Sequence, residues 1–320
     1  MTNLFATRQA AADARPVRGR WTIAIWLGAS LLNLAATSPA PEWQKTIAPL
    51  PRSNFPNARP LVATYNFGWS GLTAATAEVR FGRIGDRLQL QGTGQTIGLV
   101  RALWRFDGSH RAVADADTLL PISMHQVEEL RRKTLTTDLV FKPGRVERRR
   151  TDTKSQKPAT MKTFSFPAGL FDMHSALLTV RSQPLKEGDR YQLMVYPATN
   201  AYLTTVTVVD RSTITTPAGV YPAIKLDVHL KKVGKHGELE PHKKFRRASI
   251  WVSDDSDRLL LRIEASVFIG TVFAELQSIR FPGGKKGENA PNDQVPIPRD
   301  RQAGPESGGG GPVFGGHSDA

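Results

Sequence analysis

Hydrophobic and polar residues alternate along most of the middle of the chain. Alternation is strict at 87–91, and β-branched or aromatic residues are interspersed with polar ones at 61–69 and 201–209. A period of two is typical of β-strands with one face in water. By the same criteria, we predict further strands at 76–81, 136–141, 146–150, 191–196, 223–230, 248–252, 259–263 and 271–281. The spacing of turn residues between them indicates an antiparallel all-β domain.

Two short segments have helical spacing. The first has apolar residues at positions 97, 100, 103 and 104. The second starts at Asp172, a residue type favoured at helix N-caps, and its apolar stripe comprises Met173, Ala176, Leu177 and Val180. The predicted fold is therefore β-rich with one or two short helices.

The first 40 residues have the layout of an export signal. Residues 1–20 carry four arginines and one aspartate, and residues 21–36 contain no charge. This arrangement is typical of a signal peptide, and the apolar stretch is shorter than the roughly 20 residues of a membrane span. Because Pro41 makes cleavage after Ala40 unfavourable, an uncleaved signal anchor is the alternative. Either way, we predict N-terminal membrane contact and a location in the periplasm or cell envelope, with possible anchoring in the inner membrane.

Proline and glycine mark the borders of the folded part. Residues 41–60 contain five prolines, a density that predicts an extended linker. Residues 283–320 are rich in Gly, Pro and polar residues and predict a disordered tail. A single β-rich domain is therefore predicted at 61–282.

The composition shows an excess of positive charge. The chain of 320 residues has 43 Lys+Arg against 29 Asp+Glu, a formal net charge of +14. Residues 1–40 contribute +3 and residues 283–320 contribute −1, which leaves +12 on residues 41–282. An excess of this size favours an anionic partner.

The sequence contains no catalytic or metal-binding pattern. It has no Cys, which excludes disulfides, thiolate metal sites and a cysteine nucleophile. Ser70 lacks the spacing of a nucleophile elbow, and 254–257 lacks the Gly and Glu of an EF-hand loop. We predict no catalytic residue, no cofactor and no metal, and hence not an enzyme; a hydrolase using Ser70 or a histidine is the weakest alternative.

Basic residues form two groups on predicted hairpins. One comprises Arg131, Arg132 and Lys133 with Arg145 and 148–150, and the other lies between 231 and 247. Lys and Arg on strands are common at solvated sheet edges, and we favour that interpretation. If the groups bind a ligand, it would be an anionic lipid or polysaccharide, since nucleic acid does not fit a location outside the cytoplasm.

Several motifs occur in the order found in a known family. They are Tyr65 to Gly71 followed by Ala77-Glu-Val, then Leu120-Pro121, 172–181 before 185–188, 216–225 and 250–255. Together they resemble the bacterial exported family called domain of unknown function 3108, over about residues 61–282. The resemblance implies a secreted or envelope protein with a curved antiparallel sheet, or half-open barrel, wrapped around a short helix. It implies no catalytic residues.

We derive two main hypotheses from these observations. The first is an exported envelope protein that binds a lipid or glycan in the concave face of its sheet. The second is a membrane-tethered structural or assembly partner of other envelope proteins. The residues that could line a ligand groove are Trp69, Trp104, Arg131, Arg148 and Arg150.

Overall fold

The structure is a computed structural model that describes residues 41–54, 59–155, 157–241, 247–267 and 270–282. All of them belong to one compact unit. The predicted export segment and C-terminal tail lie outside the described residues, as do residues 242–246 of the second basic group. Among the described residues, no helix is long and apolar enough to cross a membrane.

One antiparallel sheet contains all the strands of the described chain. They are β1 (Leu61–Trp69), β2 (Leu72–Ile84), β3 (Arg87–Thr96), β4 (Phe106–Asp115), β5 (Pro121–Leu130), β6 (Thr134–Lys142), β7 (Arg145–Asp152), β8 (Thr160–Ser165), β9 (Arg190–Val195), β10 (Tyr202–Thr216), β11 (Gly219–Val233), β12 (Leu239–Pro241), β13 (Arg247–Ser253), β14 (Leu260–Ser266) and β15 (Thr271–Arg280). The order is β8-β7-β6-β5-β4-β3-β2-β1-β15-β14-β13-β11-β10-β9, with β12 on β11. The sheet does not close, and β8 and β9 are its edges.

Three short helices accompany the sheet in the described part of the chain. They are α1 (Glu42–Lys45), α2 (Gly98–Leu103) and α3 (Met173–Arg181). The sequence predicted α2 and α3, and the β-rich fold class is confirmed. Helix α3 starts where expected, since the Asp172 carboxylate accepts from the Ser175 amide at 2.6 Å and the Asp172 amide donates to the Ser175 hydroxyl at 3.1 Å. This reciprocal capping box satisfies two groups that a helix start leaves unpaired.

Helix α3 packs on one face of the sheet, here called the inner face. Leu178 belongs to a cluster with Phe81 and Leu88, whereas Val180 belongs to a cluster with Ile224 and Val252. One short helix thus contacts strands from both halves of the sheet. Because each half buries apolar residues against the same helix, the sheet curves around it.

The two edges of the sheet also share a hydrophobic cluster. Val146 of β7 and Met194 of β9 pack in the same group of buried residues. Phe164 of β8 stacks on Tyr196, with ring centroids 5.9 Å apart. Side chains thus bridge the gap that strand pairing leaves open, which gives the half-open barrel that the family resemblance implied.

The segment predicted to be an extended linker contains the helix α1. The prediction of a purely extended segment is wrong here, because Pro41 occupies the N-cap, where its ring does not interrupt the helix. Trp43 stacks on Phe166 at 6.0 Å, and its Nε1 donates to the Gly237 carbonyl at 2.9 Å. Ile47 is buried in the cluster at the sheet edges. The segment therefore covers part of the core.

We predict that Trp43→Ala lowers the free energy of unfolding by about 1–3 kcal/mol, because it removes a half-buried aromatic contact and a hydrogen bond. Urea unfolding of the full chain measures this change. The control is Lys45→Ala, which removes only an exposed ion pair with Glu42 and should leave the midpoint unchanged. Equal midpoints for the two variants would show that the segment does not stabilise the domain.

Candidate functional site

An apolar groove of about 430 Å³ lies beside the turn between β1 and β2. Its described lining residues are Phe67, Gly68, Trp69, Ala74, Ala75, Thr96, Val100, Trp104, Ile263, Ala265, Val272, Phe273 and Ala274. Ala75 lies six residues from Phe81 on the same strand, so both are on the inner face. The groove therefore continues the inner face beyond the part that α3 covers.

Small side chains create the space for this groove. Ala75, Ala265 and Ala274 come from three different strands, whereas Phe81 and Leu261 fill corresponding positions nearer α3. At Gly68 a Cβ atom would overlap both the Leu72 carbonyl and the Phe273 ring, so only glycine fits there. The adjacent turn has positive φ at Ser70 (47°) and Gly71 (85°), as a type I′ hairpin requires. Ser70 thus forms the predicted turn between two strands.

Helix α2 forms one wall of the groove through Val100 and Trp104. Thr96 holds its end in place: the hydroxyl donates to the Trp104 carbonyl at 3.1 Å and accepts from the Phe106 amide at 3.1 Å. Because this hydroxyl is already paired, it adds little polarity to the groove. Arg101 fixes the outer side of α2 by donating to Asp107 at 2.8 Å, and this contact lowers the pKa of the carboxyl.

Two larger grooves have polar linings. One, of about 510 Å³, is on β1–β5 and includes Glu78, Asp107 and Glu129. The other, of about 570 Å³, is on β9–β13, where Asp227 accepts hydrogen bonds from Arg247. In both grooves the charged side chains are paired at least in part. The apolar groove differs because few of its lining groups can form hydrogen bonds with water. It is therefore the stronger candidate for a ligand site.

The structure brings together two of the five predicted groove residues. Trp69 and Trp104 line the same groove. Arg131 is exposed in the turn between β5 and β6, on the far side of α2. Arg148 and Arg150 lie on β7, opposite Leu139 and Thr137 of β6. The tryptophans therefore remain candidates for ligand contact at the groove, and the three arginines lie elsewhere.

Arg150 and Arg148 differ in their surroundings. Arg150 forms an ion pair with Glu128 at 3.3 Å. Arg148 is only 6% exposed, and within the described residues it has neither an ion pair nor a hydrogen bond; its Nε has no partner at all. The basic group on β7 is thus not a uniformly solvated face, because alternate residues of a strand point to opposite faces and Arg148 points inward.

We predict that Arg148→Met raises the free energy of unfolding by about 1–3 kcal/mol, because the Nε of this buried arginine has no hydrogen-bond partner and methionine fills a similar volume. Thermal or urea unfolding measures the change. Arg149→Met, on the exposed face of the same strand, is the matched control and should have little effect. A loss of stability in Arg148→Met would show that Arg148 has a stabilising partner.

The end of the inner face opposite the groove holds buried titratable groups on α3. Burial, followed by the positive charges of Arg181 and His110, lowers the pKa of His174 to about 3. Its ring meets the Phe81 ring edge-on at 5.7 Å, and its Nε2 has no hydrogen-bond partner. Burial also raises the pKa of Asp172, against the hydrogen bonds from Ser175. His174 is thus a neutral core residue at pH 7.

We predict that His174 makes the fold sensitive to acid. The unfolded histidine binds a proton below about pH 6.5 and the folded one only near pH 3, so stability falls as pH decreases between these values. At pH 4.5 the loss relative to pH 7 should be about 2–3 kcal/mol. In His174→Leu this part of the loss should disappear. If both proteins lose stability equally, His174 is protonated in the folded state.

The comparisons with known proteins agree with this architecture. An open antiparallel sheet curved around a short helix defines a β-barrel-like protein. The chain belongs to the family described as "Protein of unknown function (DUF3108)", whose model matches residues 64–277. This confirms the family suggested by the motif order. No curated protein matches the sequence significantly.

Three solved structures are similar to this chain over most of their length. A β-barrel-like protein of domain of unknown function DUF1849 from Brucella abortus matches with a TM-score of 0.50 and 13% identity, covering 72% of this chain and 100% of that chain. A protein with a YmcC-like fold from Bacteroides fragilis matches at 0.32 and 10%, covering 72% and 99%. A DUF1089 family protein from Pseudomonas aeruginosa matches at 0.32 and 12%, covering 60% and 90%. The first similarity supports the fold alone, and the other two carry no further argument.

Sequence reasoning missed most of the groove. Ala75, Val100, Ile263 and Val272 are ordinary strand or helix residues whose type gives no functional signal. The helical spacing of 97–104 was the usable signal, since it predicted a helix that brings Trp104 to the sheet. Among the described residues, no group of three or more His, Asp or Glu side chains could hold a metal ion.

Proposed function

We propose that this chain is an exported envelope protein that binds an amphiphile, with the apolar part of the ligand in the groove formed by Trp69, Trp104 and the three alanines Ala75, Ala265 and Ala274. The observation that carries the proposal is the groove itself. Its volume of about 430 Å³ falls within the range of about 300–1,000 Å³ typical of small-molecule sites.

The lining indicates the chemistry of the ligand. Apart from Thr96, whose hydroxyl is paired internally, the described lining side chains are apolar. Trp69 and Trp104 are 44% and 57% exposed. Exposed apolar surface of this kind is unfavourable in water, so covering it with a ligand or a partner lowers the free energy. An alkyl chain would cover it without leaving a polar group unpaired. A glycan would not, because its hydroxyl groups would find few partners.

The surroundings of the groove favour an anionic headgroup. Arg101, Arg105, Arg131 and Lys154 line a second pocket of about 330 Å³ on the other side of α2. Only Glu129 opposes them among its described lining residues, although Asp107 pairs with Arg101 of α2 and with Arg105 just after it. A ligand with its chain in the groove and a phosphate or carboxylate near α2 would meet both kinds of surface.

The second candidate is an envelope assembly partner, tethered by the N-terminal segment. It is favoured by α3, whose buried residues pack against both halves of the sheet on its inner face, where a ligand would otherwise lie. In that case the exposed tryptophans would contact protein and the groove would remain without a ligand. Location in the envelope is part of both proposals and rests on the layout of residues 1–40.

We predict that the chain binds the fluorescent fatty acid dansyl-undecanoic acid and that Ala75→Trp abolishes this binding, because the indole fills the groove. Titration of dansyl fluorescence measures both. The control is Thr93→Trp, which places the same side chain at an exposed position of neighbouring β3, facing away from the groove. Undetectable binding to the wild type, or equal binding by all three proteins, would contradict the proposal.

A further inference from the structure

Large apolar side chains are exposed around the mouth of the groove. Leu72, the first residue of β2, is 70% exposed. Leu99 and Leu103 of α2 and its C-cap residue Trp104 are 85%, 82% and 57% exposed. Isolated exposed hydrophobic residues are common, but here four of them occupy two neighbouring elements. We call Leu72, Leu99, Leu103 and Trp104 the apolar rim.

The position of α2 connects the apolar rim to the groove. Trp104 lines the groove together with Trp69, the last residue of β1 before the turn that precedes Leu72. Leu99 and Leu103 are one helical turn apart, so they project on the same side of α2. Val100, between them in sequence, contacts the groove instead. The helix thus presents leucines to solvent directly beside the groove.

Basic residues border the apolar rim on the side away from the groove. Arg101 and Arg105 flank the helix, and Arg131 and Lys154 reach the same pocket from the adjoining turns. Arg132 and Lys133 follow Arg131 in the turn and are exposed. Within the described part of the chain, Arg131, Arg132 and Lys133 form no ion pairs. Their charges are therefore available to an anionic surface.

We propose that this end of the protein docks on the surface of an anionic lipid bilayer, with the apolar rim in the headgroup region and the basic residues against lipid phosphates. Segments that lie in the membrane interface typically combine leucine and tryptophan with neighbouring arginine and lysine. A bilayer supplies negative charge and apolar depth over one continuous surface, which matches the adjacency of the two groups.

The proposal rests on the proposed function and extends it. Because the groove opens at the docked end, an acyl chain could move between the bilayer and the groove without crossing water. Docking and binding share Trp104 but are separable at other residues, since Leu99 and Leu103 face solvent and the ligand would lie beside Ala75. Variants of one surface should leave the other intact.

The absence of cysteine allows a site-specific test in the full chain. Leu103→Cys and Ile84→Cys are each labelled with the environment-sensitive fluorophore NBD. Ile84 is a matched control, because it is 66% exposed but ends β2 about 40 Å along the strand from Leu72. Comparing the two labels separates docking by the apolar rim from membrane contact through residues 1–40.

With vesicles of phosphatidylglycerol and phosphatidylethanolamine, NBD at 103 should become blue-shifted and brighter, and NBD at 84 should not change. Vesicles of phosphatidylcholine should bind at least about tenfold more weakly, as should anionic vesicles after Arg132 and Lys133 are changed to Glu. Salt at about 0.5 M should weaken the anionic interaction. No change at 103, or equal changes at both positions, would overturn docking by the apolar rim.

Binding of dansyl-undecanoic acid in the same variants separates the two proposals. The variant with Arg132 and Lys133 changed to Glu should retain the fatty acid and lose the vesicles, because neither residue lines the headgroup pocket beside α2. Ala75→Trp should lose the fatty acid and retain vesicle docking. If wild-type protein binds the fatty acid but NBD at 103 does not respond to vesicles, docking is overturned and the groove proposal stands. If docking occurs and the fatty acid does not bind, only the groove proposal fails.

Discussion

The length of α3 sets the organisation of this fold. A helix of nine residues is about 14 Å long, whereas strands of ten residues span about 33 Å. The helix can therefore cover only part of the inner face of the sheet that curves around it. Side chains that cover the rest of the inner face stabilise the domain there. Any part of this face that stays uncovered is accessible to a ligand.

The two regions of the inner face that α3 leaves uncovered differ in what fills them. Between the sheet edges, the gap is filled by side chains of the chain itself, including Trp43 from α1 and the stacked pair Phe164 and Tyr196. At the β1–β2 turn, alanines replace larger residues and the space remains as a groove. Tertiary packing thus stabilises one region, and the other keeps exposed apolar surface. This asymmetry connects the fold with the proposed binding of an amphiphile.

The alternating pattern predicted most of the architecture, for a clear physical reason. Strands such as β10 bury one face in a continuous core, so their sequence records the alternation. The prediction missed β4, β5, β8 and the three-residue β12. In β4 the positions that face inward include Gly108 and His110, and in β5 they include Gln126 and Glu128. Because these residues are not hydrophobic, the sequences of the two strands do not alternate between apolar and polar positions. The sequence indicated Arg148 as a residue that could line the groove. The location of this side chain depends on how β7 pairs with its neighbours, which the sequence of one strand does not reveal.

Native mass spectrometry of the full chain after incubation with a phospholipid mixture tests the central claim most directly. If the groove holds an amphiphile, the spectrum should contain one bound lipid per protein, released at higher collision energy and absent from Ala75→Trp. Binding at a single stoichiometry would show that the region left uncovered by α3 accommodates an amphiphile. A spectrum of unliganded protein only, or equal lipid binding by wild type and Ala75→Trp, would contradict it.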